Sequence, residues 1–292
     1  MNQTASRPKV GLALGGGGAR GFAHIGALQV LLEHHIPIDV IAGTSMGAII
    51  GSGLVCGLNL EKLTHLLKRL DLHDLLGVPQ SPLPEMVERT ASEYLFQRKD
   101  WRHKDQEKTL RLIEFFRLLT HNKSFEEVNI PFACVAADVD TGNEVVMDRG
   151  KISRALAASA ALPGIHDPVR WQGHLLVDGG IIDRVPVRVA VTLGADVVIG
   201  VNVSGELLSH VNTSLEVIRQ SMSITAQALQ QAQLELMHNR LGDKLLVVSP
   251  EVGHIKTLAL HEIDAPVQSG RAAMEAAIPD IQRILDVVQS SV

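Results

Sequence analysis

Apolar residues fall along this chain in two rhythms. Short unbroken runs at Lys9–Leu14 (KVGLAL), Ile38–Ala42, Pro131–Ala137 (PFACVAA) and Ala195–Val203 (ADVVIGVNV) have the length and composition of strands buried on both faces. Gly21–His34 instead carries Phe22, Ile25, Leu28, Leu31 and Leu32 at helical spacing, and Pro37 closes that unit. Ser45–Gly57 reads as a second helix, built of small residues. Strand, helix, strand, helix at this spacing predicts an α/β fold, with a parallel-rich central sheet, right-handed crossovers and flanking helices. Shorter runs at Glu144–Met147, Val169–Trp171, Leu175–Val177 and Lys244–Val248 extend the sheet, while Leu215–Arg240 and Ala265–Val288 predict long helices.

The rhythm changes between Leu60 and Phe125. Glu61–Leu72 is amphipathic, Pro79, Pro82 and Pro84 break the chain, and Gln97–Lys108 is charged around Trp101. Arg111–Thr120 is helical again. The expected organisation is a tail over 1–8 and one domain over 9–205 carrying a helical insertion at about 60–125. A helical extension over 206–292 packs on the same domain.

Composition narrows this picture. Of 292 residues 46% are hydrophobic but only 3% aromatic, so Ala, Val, Leu, Ile and Gly must form the core, as suits helices lying close to a parallel sheet. A net charge of −5 speaks against a nucleic-acid partner. Cys56 and Cys134 sit inside apolar runs, which predicts buried reduced thiols and excludes a disulfide framework. The start, MNQTASRPKV, lacks the apolar core of a secretory signal, and no run reads as a membrane-spanning helix, so a cytoplasmic location is expected.

Candidate chemistry begins at Gly43-Thr44-Ser45-Met46-Gly47, where a buried strand turns into a helix. Glycines two positions either side would relieve crowding at a sharp turn and push the serine oxygen out at the helix N-terminus, as a nucleophile requires. Serine as a plain N-cap is the other reading. Gly15–Gly21 (GGGGARG) follows the first strand, where glycine amides can face an anion. That anion could be a dinucleotide pyrophosphate, because Gly16, Gly18 and Gly21 match G-x-G-x-x-G; Asp39 then has the spacing of the ribose ligand but stands at the start of its strand. It could equally be the oxyanion of an intermediate formed at Ser45. A tight turn needed only for packing is the third option.

A nucleophilic serine needs a base. His254 and His261 are the late histidines, whereas His24 falls one turn into a helix and reads as structural. Asp178, in LLVDGGIIDRVP, ends an apolar run before Gly179-Gly180; it could be a carboxylate base at a strand end or part of an Asp-Gly hairpin turn. Burial would raise its pKa from the weakly basic reference value of about 3.9 and help it accept a proton. No clustered His/Cys/Asp spacing implies a metal, and no cofactor is called for.

Taken in order, GGGGARG, GTSMG and DGG resemble the patatin-like phospholipases, most of all the bacterial members grouped with the neuropathy target esterase. The likeness runs from about Val10 to Ala190, through AHIGALQVL and SAALPGIHDPV, and fades over Leu60–Phe125 and beyond Gly205. It implies the three-layer patatin fold and hydrolysis of an acyl ester of a phospholipid or lysophospholipid. By the same resemblance Ser45 is the nucleophile and Asp178 the proton acceptor, with no histidine. Gly16, Gly17 and Gly18 with Arg20 would form the oxyanion hole, and Gly21, Gly43, Gly47, Gly179 and Gly180 would support the turns. Two rivals are a nucleotide-binding oxidoreductase using the glycine loop and an idle scaffold acting through its C-terminal helices; intact Ser45 and Asp178 count against both. The cationic stretch Arg98, Lys99, Arg102 and Lys104 around Trp101 would suit transient contact with an anionic membrane, or be a solvated face.

Overall fold

The computed structural model describes residues 7–69, 71–75, 106–163, 165–207, 209–212 and 214–290. Pro79, Pro82, Pro84 and the cluster Arg98, Lys99, Trp101, Arg102 and Lys104 lie outside the described residues. The strands are β1 (Val10–Leu14), β2 (Val40–Thr44), β3 (Phe132–Asp138), β4 (Glu144–Met147), β5 (Val169–Trp171), β6 (His174–Asp178), β7 (Val197–Val201) and β8 (Leu245–Val248), all in one sheet. Strands β3, β2, β1, β7 and β8 lie side by side and parallel, while β4 and β6 pair antiparallel with β3 and β5 pairs antiparallel with β6.

The helices are α1 (Ala23–Glu33), α2 (Met46–Val55), α3 (Leu60–Leu67), α4 (Leu72–Leu75), α5 (Gln106–Leu119), α6 (Ile152–Ser159), α7 (Val187–Thr192), α8 (Ser214–Leu241) and α9 (Asp264–Ser290). They cover both faces of the sheet, and this explains why the strands read as unbroken apolar runs. Leu12, Leu14, Ile41, Phe132, Ile199 and Val201 point into the layer that holds α1, α2 and α9. The alternate residues Ala13, Val40, Ala42, Ala133 and Val198 meet Val187 and Ala190 of α7. Alanines on that side let the short helix lie close to the sheet.

The segment after α2 departs from the sheet but is rooted in it. Leu60, Leu63 and Leu67 of α3 and Leu112, Phe116 and Leu119 of α5 are buried in the same apolar cluster as β1 and α1. Residues beyond 205 supply more than helices: β8 is the strand next to β7, and α9 packs along α1. Two helices escape the hydrophobic pattern. The α6 sequence ISRALAAS is only eight residues long and mostly alanine and serine, and the α7 sequence VRVAVT is six mostly β-branched residues. Cys56 and Cys134 are free and buried, and burial raises both thiol pKa values.

One detail of strand pairing creates the site. Strand β4 occupies one edge of β3 from Cys134 to Ala137. On the other edge β2 pairs with Phe132–Val135 and β6 with Ala136–Asp138, the first parallel and the second antiparallel. Strands β2 and β6 therefore approach head to head along one side of β3. Their last residues, Thr44 and Asp178, stand opposite the neighbours Val135 and Ala136.

Candidate active site

Ser45 follows Thr44 directly and so arrives at Asp178. Its hydroxyl donates to Asp178 Oδ2 at 2.6 Å, and both residues are buried. Asp178 Oδ1 accepts the Gly180 N–H at 2.7 Å, and the chain continues from Asp178 into a 3-10 turn over Gly179–Ile181, not into a hairpin. Burial pushes the Asp178 carboxyl up to about 6, while the Ser45 hydroxyl, the Gly180 amide and the nearby Arg184 charge pull the other way.

Ser45 has φ 53° and ψ −122°, a left-handed backbone that side chains rarely adopt. Such strain is of the order of 1–3 kcal/mol and persists only where the surroundings enforce it. Here they do. A Cβ on Gly43 would lie 2.5 Å from Ala48 Cα, and one on Gly47 would run into the Leu14 carbonyl oxygen. The strand-to-helix turn is thus packed against itself on one side and against the end of β1 on the other. Gly21 lies likewise against Met46.

The glycine loop passes beside this turn. A Cβ on Gly16 would sit 3.3 Å from Ser45 Cβ. The amides of Gly15 and Gly16 are committed, at 3.0 Å each, to the carbonyls of Val201 and Arg184. Those of Gly17 and Gly18 donate to no carbonyl among the described residues. Gly18 has φ 59°, the left-handed turn that re-aims the chain into the following 3-10 helix. Arg20 is turned to other work: its Nε–H donates to the Val203 carbonyl at 3.1 Å and its Nη1 to Ile255 at 2.9 Å. Gly16 and Arg20 thus fasten the loop to the sheet edge.

His24 adds another fastening. Its ring is buried, and Nε2–H donates to the Gly15 carbonyl at 2.7 Å. Burial lowers its pKa to about 4, so the imidazole is neutral. His254 and His261 are exposed in the segment between β8 and α9, and the Ser45 hydroxyl has a carboxylate as its acceptor. Asp39, the residue a dinucleotide would need, lies at the opposite, amino end of β2, where it pairs with Arg7 at 2.7 Å and accepts the Val10 amide. It stands at the wrong edge of the sheet to meet a ribose held by Gly16–Gly21.

Residues 12–191 match the sequence model of the patatin-like phospholipase family. The chain belongs to that family. An uncharacterized NTE family protein of Mycobacterium tuberculosis (strain ATCC 25618 / H37Rv) is 34% identical over 201 residues, covering 69% of this chain and 51% of the relative. Lysophospholipase NTE1 of Mycosarcoma maydis is 31% identical over 198 residues, 66% of this chain and 10% of that protein. The chain thus spans about half the length of the mycobacterial relatives it matches, or less. Among solved structures, VipD from Legionella pneumophila superposes with a TM-score of 0.52 at 15% identity, over 97% of this chain and 67% of that one. The type III effector protein ExoU gives 0.50 at 16% identity, over 96% and 54%. At such identities the likeness is one of fold, a patatin-like layered sheet.

Within this patatin-like domain Ser159, at the end of α6 and the start of the SAALPGIHDPV stretch, holds a place to which the sequence assigned no role. Its hydroxyl accepts the Ser45 N–H at 2.9 Å and donates to the Val135 carbonyl at 2.7 Å. In an unbroken parallel ladder the Ser45 amide would reach the Val135 carbonyl itself. The serine hydroxyl is inserted between them and spreads the strands where Ser45 turns. Ser159→Ala would leave a buried amide and a buried carbonyl unpaired, and we expect it to lower the unfolding free energy by about 2 kcal/mol. Urea denaturation checks this; a midpoint equal to that of the unaltered chain would mean the bridge contributes nothing.

Proposed function

We propose that this chain is a serine acyl hydrolase that cleaves a carboxylic ester of a phospholipid or lysophospholipid, using a Ser45–Asp178 pair without a histidine. The short hydrogen bond from Ser45 Oγ to Asp178 Oδ2, 2.6 Å long between buried groups, carries this reading. A carboxylate lifted by burial to about 6 is still ionised at neutral pH, yet is a far better proton acceptor than one at 3.8. As Ser45 Oγ attacks the acyl carbonyl, its proton passes to Asp178 Oδ2. The developing oxyanion falls to the free amides of Gly17 and Gly18, each such donor being worth about 3–4 kcal/mol. Collapse breaks the ester bond, and the leaving alcohol takes the proton back from Asp178. Water then gives a proton to Asp178 and adds to the acyl-enzyme, and the released Ser45 oxygen recovers that proton.

The lipid class rests on the family and on the lysophospholipase name of the fungal relative. No helix among the described residues is long and apolar enough to cross a membrane, so substrate would be met by transient contact with a lipid surface. A fluorophosphonate should label the chain covalently, since an activated hydroxyl attacks phosphorus as it attacks a carbonyl. We expect labelling and hydrolysis of acyl esters to vanish together in Ser45→Ala and to survive in His254→Ala and His261→Ala. Retained labelling at another serine in active Ser45→Ala would sink the assignment. A histidine variant as dead as Ser45→Ala would replace the dyad with a triad.

A further inference from the structure

Helix α8 has one face on the domain and one face bare. Gln230 and Met237 are buried, and Gln227 and Gln233 donate to the carbonyls of Gly205 and Ile182. Along one flank of that contact Ile218, Met222, Thr225, Leu229, Ala232 and Leu236 follow one another at steps of four, three, four, three and four residues. Those steps define a heptad seam, the pattern by which one helix packs into another. All six are exposed, the four large ones to 47, 48, 38 and 67% in chain order. An apolar stripe of this length has no partner within the described residues of its own chain.

We propose that this stripe is a homodimer interface, formed by α8 packing antiparallel against α8 of a second copy of this chain. The sizes along the seam favour that arrangement. With the two-fold axis at Gln227, each residue meets the one whose number complements it about that point. Met222 then faces Ala232 of the second copy, Leu229 faces Thr225, and Ile218 faces Leu236. Large side chains meet small ones in the inner layers, so the helices interdigitate without voids. A parallel pair would instead set Ala232 against Ala232 and Thr225 against Thr225, leaving a gap and a polar layer.

Charge points the same way. Helix α8 has only two lysine or arginine cations in its sequence, Arg219 and Arg240, one toward each end, and the polar positions between them are mostly serine and glutamine. A helix that lies on an anionic membrane carries cations on its polar face. Between Arg219 and Arg240 no such cation stands along the stripe, and no like charges face each other across the antiparallel seam. Six side chains about half exposed present on the order of 500 Å² per copy, so a dimer would hide on the order of 1,000 Å², where specific interfaces begin. The association is accordingly reversible and depends on concentration. It is independent of the Ser45 chemistry.

Analytical ultracentrifugation of the whole chain tests this. The weight-average mass is expected to rise from 31.5 kDa toward twice that value with concentration, and Leu229→Glu with Leu236→Glu to hold it at the monomer. Both positions are exposed, so that variant should keep its fold and its reactivity with a fluorophosphonate. Met222→Cys combined with Ala232→Cys should give covalent dimers on oxidation, whereas Thr225→Cys alone should not; the native cysteines are buried. A wild-type chain that stays monomeric at every concentration overturns the proposal, as does undiminished dimerisation of the double-glutamate variant. Cross-linking by Thr225→Cys alone overturns the antiparallel register. A monomer that binds anionic vesicles through Leu229 and Leu236 would assign the stripe to lipid.

Discussion

Asp178→Asn is expected to cut kcat/KM on an acyl ester by roughly a thousandfold or more while making the protein more stable. The loss follows from removing the proton acceptor 2.6 Å from Ser45 Oγ, with the shape retained. The gain follows from linkage. The folded-state pKa of about 6 exceeds the reference 3.8, so the native state binds this proton more tightly than the unfolded chain does. Stability from this group is then greatest at low pH and falls as pH rises from about 4 to about 6. Above that window the buried charge costs on the order of 3 kcal/mol, and an amide that loses one hydrogen bond returns about 1 kcal/mol of the relief. A net gain of about 2 kcal/mol at pH 8, read by urea denaturation, should shrink toward zero near pH 4. Asp183, whose carboxyl burial lifts to about 7 beside Glu144, keeps a similar pH slope in the variant. On the proposed chemistry, the rate of the unaltered chain should fall as pH drops through about 6, when Asp178 takes up its proton. A variant as active as the parent would remove Asp178 from the chemistry; an inactive variant destabilised at pH 8 would overturn the account of its burial.

The second large effect is structural. Gly47→Ala is expected to cost on the order of 4 kcal/mol or more, enough to leave little native protein, because its Cβ would enter the Leu14 carbonyl. Neither group can step aside: Leu14 is held in β1 between β2 and β7, and Gly47 lies in the first turn of α2. Gly57→Ala makes the control. Its φ of 88° is also left-handed, but a Cβ there meets nothing within 4 Å, so the change should cost only about 1 kcal/mol. Soluble yield and denaturation midpoints of the two variants decide between close approach and backbone conformation. Equal effects would show that Gly47 is not a packing contact.

That glycine could be singled out from the sequence because it belongs to the turn around Ser45, although the carbonyl that excludes a side chain from it comes from β1. A tight turn between a strand and a helix has to be written in the residues that make it, and so Gly43, Ser45 and Gly47 stand together. The buried strands were legible for a similar reason, since a sheet covered on both faces leaves no polar positions to interrupt the run. What could not be read acts over distance. Ser159 lies 114 residues from the amide it supports, and Arg20 reaches carbonyls 183 and 235 positions away. The commitment of the Gly16 amide to Arg184 and the grip of His24 on Gly15 depend likewise on which elements the sheet brings together. A serine in a run of alanines and a histidine on an apolar helix face carry no signature of their partners.

The head-to-head meeting of β2 and β6 has a bearing on synthesis. Ser45 and Asp178 are 133 residues apart, and the strand that aligns them, β3, is made in between. During translation the serine is in place long before its carboxylate exists. On the proposed chemistry, a nascent or truncated chain ending before Asp178 has no proton acceptor for Ser45 and is chemically inert, however well its first strands have paired. On that proposal, chain order alone withholds the proton acceptor from the serine until synthesis has passed Asp178.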